Sequence, residues 1–241
     1  MKIAVLGGRV AGTLTANYLA SRLREEIRKK EVQITLISER EKLLYEPGLL
    51  YLIFNRFEEK DILRDLKIIL DPGVKTVFKR AEKIDLENRE LNLGNEKLSY
   101  DYLVIATGSR IVPEEIPGLT ATGHWFYNLD GAVRLRKEIA RFKEGKVVSV
   151  MGVPHKCPVA PIEVTFLLHD FFKIHGIRKS SEIVYTYPIN RVFLMENVSE
   201  LIQSLFMEKG IETRTFFNPI EVDAERKEIV TSKVKGRSST S

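Results

Sequence analysis

The chain contains a single cysteine, Cys157, in a loop that also carries His155 and Lys156. The loop follows a short apolar strand, Lys146 to Val150. We predict that a helix begins near Pro161, since proline suits a first helical turn, and that it runs to Ile174 and stops at Gly176. A helix N-terminus and neighbouring cations favour the nucleophilic thiolate over the thiol. We therefore interpret Cys157 as a reactive thiol, and the alternative is a buried, inert cysteine.

The same loop is poorly suited to holding a dinucleotide. After the strand it has one glycine, Gly152, and prolines at positions 154, 158 and 161. Prolines remove backbone N–H donors where a pyrophosphate needs them, which argues against NAD(P)H binding at this turn. Glu163, in the first turn of the predicted helix, is a second candidate site residue. A glutamate there is also favoured by the helix dipole alone.

A glycine-rich turn near the N-terminus indicates nucleotide binding. The apolar strand Lys2 to Leu6 ends in Gly7-Gly8-Arg9-Val10-Ala11-Gly12, and a helical pattern follows. Such a turn brings backbone N–H groups and a helix N-terminus up to a pyrophosphate. A second apolar strand, Val32 to Ile37, leads to Glu39, whose carboxylate can accept hydrogen bonds from ribose hydroxyls. The alternative is an ordinary βαβ turn without a ligand.

Arg9 stands where the dinucleotide-binding pattern has its second glycine. A side chain at this position crowds the close approach of the phosphates, unless the guanidinium points outward or itself binds a phosphate. The helix after the turn, from about Ala11 to Lys29, is predicted to bury one apolar face at helical spacing. That face consists of Leu14, Tyr18, Leu19, Leu23 and Ile27.

The pattern in the middle of the chain predicts a short helix and a hairpin inserted after the first βαβ unit, followed by a further strand of the same sheet. Asp61 is predicted to cap a short helix over residues 62–70. Residues 74–93 are predicted to form a β-hairpin that contains Ala81. The apolar strand Tyr102 to Ala106 then ends in Ala106-Thr107-Gly108.

In this order, the βαβ unit, the hairpin and the Ala106-Thr107-Gly108 turn resemble the FAD domain of the two-dinucleotide-domain flavoprotein oxidoreductases. The resemblance implies FAD as the cofactor, with the backbone beside Ala81 near the adenine and Thr107 and Gly108 close to the FAD. The four histidines show no metal-ligand spacing with acids or thiols, so no metal site is predicted, and His169 and His175 are expected on a helix surface. The predicted FAD site is Gly7, Gly8, Arg9, Gly12, Glu39, Ala81, Thr107 and Gly108.

The segment Cys157-Pro158-Val159-Ala160-Pro161-Ile162-Glu163 and the turn Gly7-Gly8-Arg9 resemble the sulfide:quinone oxidoreductase family, over about the first 230 residues. The resemblance implies that Cys157 lies over the flavin and forms part of a sulfur-bridged redox pair. It also implies that Glu163 lies near the flavin and the quinone pocket and helps to move protons. Sulfide would be oxidised at the cysteine, and two electrons would pass through FAD to quinone.

The chain departs from that family's pattern in its second half. The family uses a second cysteine, a later glycine–aspartate segment and a C-terminal quinone pocket, whereas this chain has one cysteine and ends in a polar stretch. The expected fold is α/β. It comprises a Rossmann-like FAD-binding domain with a β-hairpin insertion (1–113), a second, incomplete Rossmann-like domain (114–232) and a polar tail (233–241). We expect the N-terminal part of a longer enzyme.

Two other functions stay open at this point. One is a relative of the type II NADH:quinone dehydrogenases, against which the glycine-poor loop argues. The other is a non-catalytic N-terminal fragment that needs a partner chain or forms a homo-oligomer. The lone cysteine and the early end of the strand–helix pattern favour this second alternative.

Charge and hydropathy indicate where the protein works. The 38 Lys and Arg residues interleave with 33 Asp and Glu residues, which is typical of a solvated, ion-paired surface and not of a nucleic-acid interface. No apolar run approaches the roughly 20 residues of a membrane span, and no signal peptide is visible. A single cysteine fits a reducing cytosol. We expect a cytoplasmic protein, with peripheral association at the cytoplasmic membrane left open.

Overall fold

The chain folds as two units that interleave in sequence. In this computed structural model, residues 1–152 and 154–232 are described. The first unit consists of Met1–Glu46 and Phe57–Arg110, and the second consists of Pro47–Arg56 and the chain from Ile111 onwards. The predicted tail, 233–241, lies outside the described residues.

Helices and strands follow one another throughout the described part of the chain. The helices are α1 (Val10–Arg22), α2 (Arg24–Arg28), α3 (Leu49–Leu52), α4 (Glu59–Ile62), α5 (Leu66–Ile69), α6 (Leu119–Thr122), α7 (Leu129–Arg141), α8 (Ala160–Ile174) and α9 (Glu196–Glu208). The strands are β1 (Lys2–Leu6), β2 (Gln33–Ser38), β3 (Lys42–Leu44), β4 (Leu63–Asp65), β5 (Val74–Phe78), β6 (Lys83–Asp85), β7 (Glu90–Asn92), β8 (Lys97–Ser99), β9 (Tyr102–Ile105), β10 (Gly145–Ser149), β11 (Ser181–Thr186), β12 (Glu212–Arg214), β13 (Pro219–Asp223) and β14 (Glu228–Thr231).

The first unit is built on a parallel sheet of order β5-β2-β1-β9. Ile3 of β1 pairs with Ile34 of β2, and Val5 pairs with Val104 of β9. β1 and β2 are buried along nearly their whole length, as expected of central parallel strands covered on both faces. All four carboxyl ends therefore meet at one edge of the sheet.

Helix α1 packs on this sheet through small residues, and the predicted apolar face is wrong in part. The buried side is formed by Gly12, Thr13, Ala16 and Ala20. By contrast, Leu14 is 64% exposed and Tyr18 is 60% exposed. The predicted Leu19, Leu23 and Ile27 do pack, partly buried, against the core. Small side chains let the helix backbone approach the sheet closely. The prediction failed because it assigned the inner face to the large apolar residues.

The insertion after β5 differs from the predicted hairpin. β5 pairs in parallel with β2, Ile34 with Val74, and so belongs to the main sheet. The inserted element is a three-stranded antiparallel sheet of order β6-β7-β8. Its Leu91 is fully buried in a core cluster with Ala4 and Ile37 of the parallel sheet.

The short helix predicted over residues 62–70 is also split in the structure. Residues 63–65 form β4, which pairs with β3. Asp61 does not cap this helix; it belongs to α4, where its carboxylate accepts a hydrogen bond from the Glu58 N–H, 2.8 Å away. The cap of α5 is Asp65, which accepts from the Lys67 N–H at 2.8 Å.

The second unit has a parallel sheet of order β10-β11-β12. Val147 of β10 pairs with Ile183 of β11, and Tyr185 of β11 pairs with Thr213 of β12. Helix α8 buries one side, including Phe172 at 1% exposure, and the Phe166 ring lies 4.8 Å from that of Phe206. The helix ends as the sequence predicts, before Gly176 at φ 72°.

The hairpin β13–β14 is joined to the segment before α6 through Gly118. The Val222 N–H donates to the Pro117 carbonyl at 2.9 Å. Gly118 has φ 78°, and a Cβ there would lie 1.8 Å from the Val222 carbonyl oxygen. Only glycine therefore fits at this position.

Replacing Gly118 with alanine should lower the free energy of unfolding by at least about 2 kcal/mol, because it combines a left-handed backbone with a backbone clash. Gly176→Ala is the matched control, since it has φ 72° but nothing within 4 Å of the added Cβ. It should lose only about 1 kcal/mol. Denaturant unfolding of both variants measures the difference, and equal losses would contradict the role given to the Val222 contact.

Candidate functional site

The glycine turn after β1 is held by backbone packing. Gly7 has φ 120°, and a Cβ on it would lie 2.2 Å from the Ala106 carbonyl oxygen. A Cβ on Gly12 would lie 1.8 Å from the Gly7 carbonyl oxygen, and one on Gly8 would lie 2.4 Å from the Ser38 hydroxyl. The turn thus brings Gly7 and Gly12 directly against the chain that enters Ala106-Thr107-Gly108.

The Arg9 side chain makes an ion pair and does not cap α1. It occupies the position before α1 without capping that helix, and its guanidinium pairs with the carboxylate of Glu46. The first N–H groups of α1 lack intrahelical partners, as at any helix start, and can donate to a phosphate. The sequence leaves the direction of the Arg9 side chain open. In the structure, its guanidinium pairs with a carboxylate of the same unit.

Glu39 and Ala81 lie beyond adjacent strands, β2 and β5, at the carboxyl edge of the sheet. The Arg80 Nε lies 3.3 Å from the Glu39 carboxylate, and both side chains are more than half exposed. Ala81 packs, partly buried, against the core cluster behind the sheet. An exposed ion pair of this kind contributes little stability, so the Glu39 carboxylate is available to ribose hydroxyls.

The edge of the first unit fits a dinucleotide such as FAD. In open α/β sheets, ligands bind beyond the carboxyl ends of the strands, and here those ends carry the glycine turn, Glu39, Ala81 and Thr107. Gly108 has φ 68° and no atom within 4 Å of an added Cβ, so its backbone faces open space. The structure brings the predicted FAD-site residues to one edge, with Arg9 the one departure from the usual glycine pattern.

In the second unit, Cys157 is free and half-buried, three residues before α8 begins at Ala160. Its carbonyl oxygen accepts a hydrogen bond from the Tyr127 hydroxyl at 2.9 Å. Burial, and then the electrostatic influence of the nearby Cys157, raise the pKa of Tyr127 well above its ordinary value. Tyr127 therefore stays a phenol and a donor at all physiological pH values. No sequence pattern predicts a role for Tyr127, and only its position just before α7 points to it.

His155 and Lys156 flank the thiol on its N-terminal side. Lys156 is exposed and His155 is half-buried. The buried Nδ1 of His155 has no hydrogen-bond partner among the described residues. The residue is thus close to Cys157 in sequence, but no structural contact between the two side chains supports a tuning role.

Glu163 lies in the first turn of α8 and is also half-buried. Its carboxylate accepts a hydrogen bond from the Tyr51 hydroxyl of α3 at 3.3 Å. No sequence pattern distinguishes Tyr51, because it lies in an otherwise apolar run. The pair gives Glu163 a hydroxyl partner at the same end of α8 that carries Cys157.

In its described residues, the turn after β10 lacks the features of a second dinucleotide site. A Cβ on Gly152 would meet nothing within 4 Å, so no close backbone packing requires a glycine there. Pro161 is buried in the first turn of α8 and offers no N–H to a phosphate. The contrast with the crowded glycines of the first unit supports the argument against NAD(P)H at this turn.

The remaining histidines do not build a metal centre. His169, expected on the helix surface, is buried at 8% exposure, and its Nδ1 lies 3.0 Å from Asp170. His175 is exposed, as expected, and stacks on Phe171. Within residues 1–152 and 154–232, no group of His, Cys, Asp and Glu could hold a metal ion. In the same residues, no helix combines the length and the apolar character needed to cross a membrane.

Comparisons with known proteins confirm the resemblance that the sequence predicts. The profile described as pyridine nucleotide-disulphide oxidoreductase matches residues 1–240. The mitochondrial sulfide:quinone oxidoreductase of Dictyostelium discoideum is 26% identical over an alignment of 245 positions, which covers 95% of this chain and 51% of that protein. The chain thus spans about half the length of this relative.

Solved structures confirm the predicted Rossmann-like α/β fold. The sulfide:quinone oxidoreductase of Aquifex aeolicus superposes with a TM-score of 0.81 at 22% identity, covering 96% of this chain and 56% of that one. NDH2 from Plasmodium falciparum, solved in complex with NADH, gives a TM-score of 0.72 at 21% identity, covering 98% of this chain and 52% of that one. At these identities the likeness is one of fold.

Proposed function

Because the chain belongs to the pyridine nucleotide-disulphide oxidoreductase family, we propose that it oxidises sulfide at Cys157 and passes two electrons through FAD to a quinone. Proteins of this family are FAD-binding oxidoreductases. Sulfide and quinone enter the proposal through the names of its relatives in Dictyostelium and Aquifex. We propose a cytoplasmic enzyme that associates peripherally with the membrane in which a quinone dissolves.

The first unit supplies the residues that would hold the cofactor. Bound FAD supplies a two-electron acceptor and donor. The backbone N–H groups of the Gly7–Gly12 turn and of the first turn of α1 would bind its pyrophosphate, and Glu39 would bind its ribose. The backbone at Ala81, Thr107 and Gly108 would border the rest of the cofactor, as the resemblance implies.

The observation that carries the proposal is the setting of Cys157. A lone structural cysteine is usually buried and inert, whereas this one is half-exposed in a proline-rich loop ahead of a helix N-terminus. The hydrogen bond from Tyr127 fixes the backbone that carries the thiol. Such a thiol, accessible and held in place, could form a sulfur–sulfur bond with hydrosulfide, while the two electrons would pass to bound FAD and the S–H protons would be released.

Glu163 would accept or donate the proton that is transferred when hydrosulfide is oxidised. Its carboxylate is half-buried, and the Tyr51 hydroxyl donates to it at 3.3 Å. A carboxylate with one hydroxyl partner retains lone pairs that can take a proton. We propose that Glu163 acts as a general base or acid and that Tyr51 positions it.

The visible spectrum of the purified full chain tests this function. With FAD bound, anaerobic sulfide should bleach the flavin band, and a quinone should restore it. A chain that takes up no FAD would favour the alternative of a fragment that needs a partner chain or a homo-oligomer. A flavin band that sulfide leaves unchanged would contradict sulfide as the electron donor.

A type II NADH:quinone dehydrogenase is the second candidate, favoured by the NDH2 fold likeness and by relatives such as the chloroplastic and mitochondrial alternative NAD(P)H-ubiquinone oxidoreductase of Arabidopsis thaliana. The proline-rich turn after β10 opposes it. We expect NADH, mixed anaerobically with the FAD-loaded chain, to leave the flavin band unchanged. Rapid bleaching by NADH, but not by sulfide, would favour an NADH:quinone dehydrogenase over a sulfide-oxidising enzyme.

A further inference from the structure

We propose that a cavity in the second unit binds a single-chain carboxylate of the fatty-acid class. The cavity, which we call the α7–α8 cavity, has a volume of about 390 Å³. It lies between the segment at the end of α3, the C-terminal end of α7 and the C-terminal half of α8. Its apolar wall is formed by Phe54, Ile139, Phe142, Leu167, Phe171 and Ile174.

The wall of the cavity is aromatic and firmly packed. The ring centroids of Phe54 and Phe171 are 5.6 Å apart, and those of Phe142 and Phe172 are 4.9 Å apart. Ile174, by contrast, is 71% exposed at the rim. An alkyl chain inserted into this cavity would cover exposed apolar surface, which contributes about 25 cal/mol for each Å² removed from water.

The polar part of the lining carries positive charge and no negative charge. Arg56 and Lys143 line the cavity, and none of its lining residues is an aspartate or a glutamate. Both cations are exposed, and neither has a carboxylate partner within 4 Å in the part of the chain that the structure describes. His175 also lines the cavity, with its Nδ1 held 2.8 Å from the Phe171 carbonyl oxygen. Cations above an apolar wall favour an anionic headgroup on an apolar tail.

Size and shape select the ligand class further. The volume falls at the lower end of small-molecule sites, which span about 300–1,000 Å³. One alkyl chain and one carboxylate fit such a space, whereas a lipid with two chains does not. The concave wall also differs from the protruding apolar side chains with which a protein meets a bilayer surface. A neutral quinone would leave Arg56 and Lys143 without an anionic partner.

The α7–α8 cavity is separate from the proposed sulfide chemistry. It uses the C-terminal half of α8, from Leu167 to Ile174, whereas Cys157 and Glu163 belong to the N-terminal end. The two sets share no residue, although Glu163 precedes Leu167 by only four positions, which is a rise of about 6 Å along the helix. A variant that loses carboxylate binding in the cavity can therefore still be assayed for sulfide oxidation, and a variant that loses sulfide oxidation can still be assayed for carboxylate binding.

The test is isothermal titration of the full chain with sodium decanoate. We expect saturable one-to-one binding, with decanol bound at least tenfold more weakly and decyltrimethylammonium not bound. The double variant Arg56→Met and Lys143→Met should weaken decanoate at least tenfold and leave decanol unchanged. The matched control, Lys137→Met with Lys209→Met, removes the exposed Lys137 and the half-buried Lys209, both outside the cavity, and should bind decanoate like the parent chain.

A cavity-filling variant tests the location independently. Ala140 lines the cavity and is exposed, so Ala140→Trp should block both decanoate and decanol while circular dichroism reports the native fold. Equal affinity for decanoate and decanol, or equal losses in the cavity and control double variants, would overturn the proposal. So would a chain that floats with phosphatidylglycerol vesicles through Arg56 and Lys143 but does not bind decanoate, because that result indicates a flat lipid surface.

Discussion

Replacing Cys157 with serine should reduce the rate of flavin reduction by sulfide by about a thousandfold or more. Serine keeps the size of the side chain and the backbone carbonyl that Tyr127 holds, but it has no sulfur atom with which sulfide could form a sulfur–sulfur bond. Anaerobic stopped-flow measurement of the flavin band gives the rate. The same variant should take up FAD as the parent does, since the predicted FAD site lies in the other unit.

Tyr127→Phe distinguishes the contribution of the Cys157 thiol from that of the hydrogen bond that holds its backbone. This variant keeps the thiol and loses only the hydrogen bond to the Cys157 carbonyl. Its rate should fall by roughly tenfold, in line with one lost hydrogen bond. If Cys157→Ser reduces flavin as quickly as the parent chain, sulfide reaches the flavin without a covalent step at Cys157, and the proposed role of the thiol is wrong.

Gly12→Ala should weaken FAD binding by about a hundredfold or more, equivalent to about 2.7 kcal/mol. The added Cβ would lie 1.8 Å from the Gly7 carbonyl oxygen, so the turn that would hold the pyrophosphate has to move. Fluorescence titration of the apo chain with FAD measures the dissociation constant. A denaturation curve of the same variant shows how much of the effect is loss of the fold.

Gly152→Ala is the matched control for that experiment. It makes the same change in the loop after β10, where an added Cβ meets nothing within 4 Å. FAD affinity should stay within about twofold of the parent, a free-energy change smaller than RT. Similar losses in both variants would show that FAD binding does not depend on the Gly7–Gly12 turn.

The sequence was most informative where one physical constraint dominates. The apolar strand β1 and the glycines at positions 7 and 12 were predictable, because a parallel strand buried on both faces and a crowded turn leave few alternatives. The end of α8 before Gly176 was predictable for the same reason. The resemblance added the cofactor and the roles of Cys157 and Glu163, which no spacing in this chain implies by itself.

The errors arise where tertiary packing overrides a local pattern. Leu14 and Tyr18 have the periodicity of a buried face, yet the close approach of α1 to the sheet selects Gly12, Ala16 and Ala20. β5 was assigned to a hairpin because pairing with β2 depends on residues some 40 positions earlier. Tyr127 and Tyr51 were missed because their partners are distant in sequence and only the fold brings them together.

The interleaving of the two units limits how this chain can be dissected. Residues 47–56 contribute Leu49, Leu52 and Ile53, each at most 2% exposed, to the unit that otherwise begins at Ile111. A gene fragment cut at residue 110 would carry this apolar segment without the helices that cover it, and the remaining fragment would lack the same segment. Expression of either half alone therefore invites aggregation, and a linker insertion or a split reporter should avoid the stretch between Glu46 and Phe57.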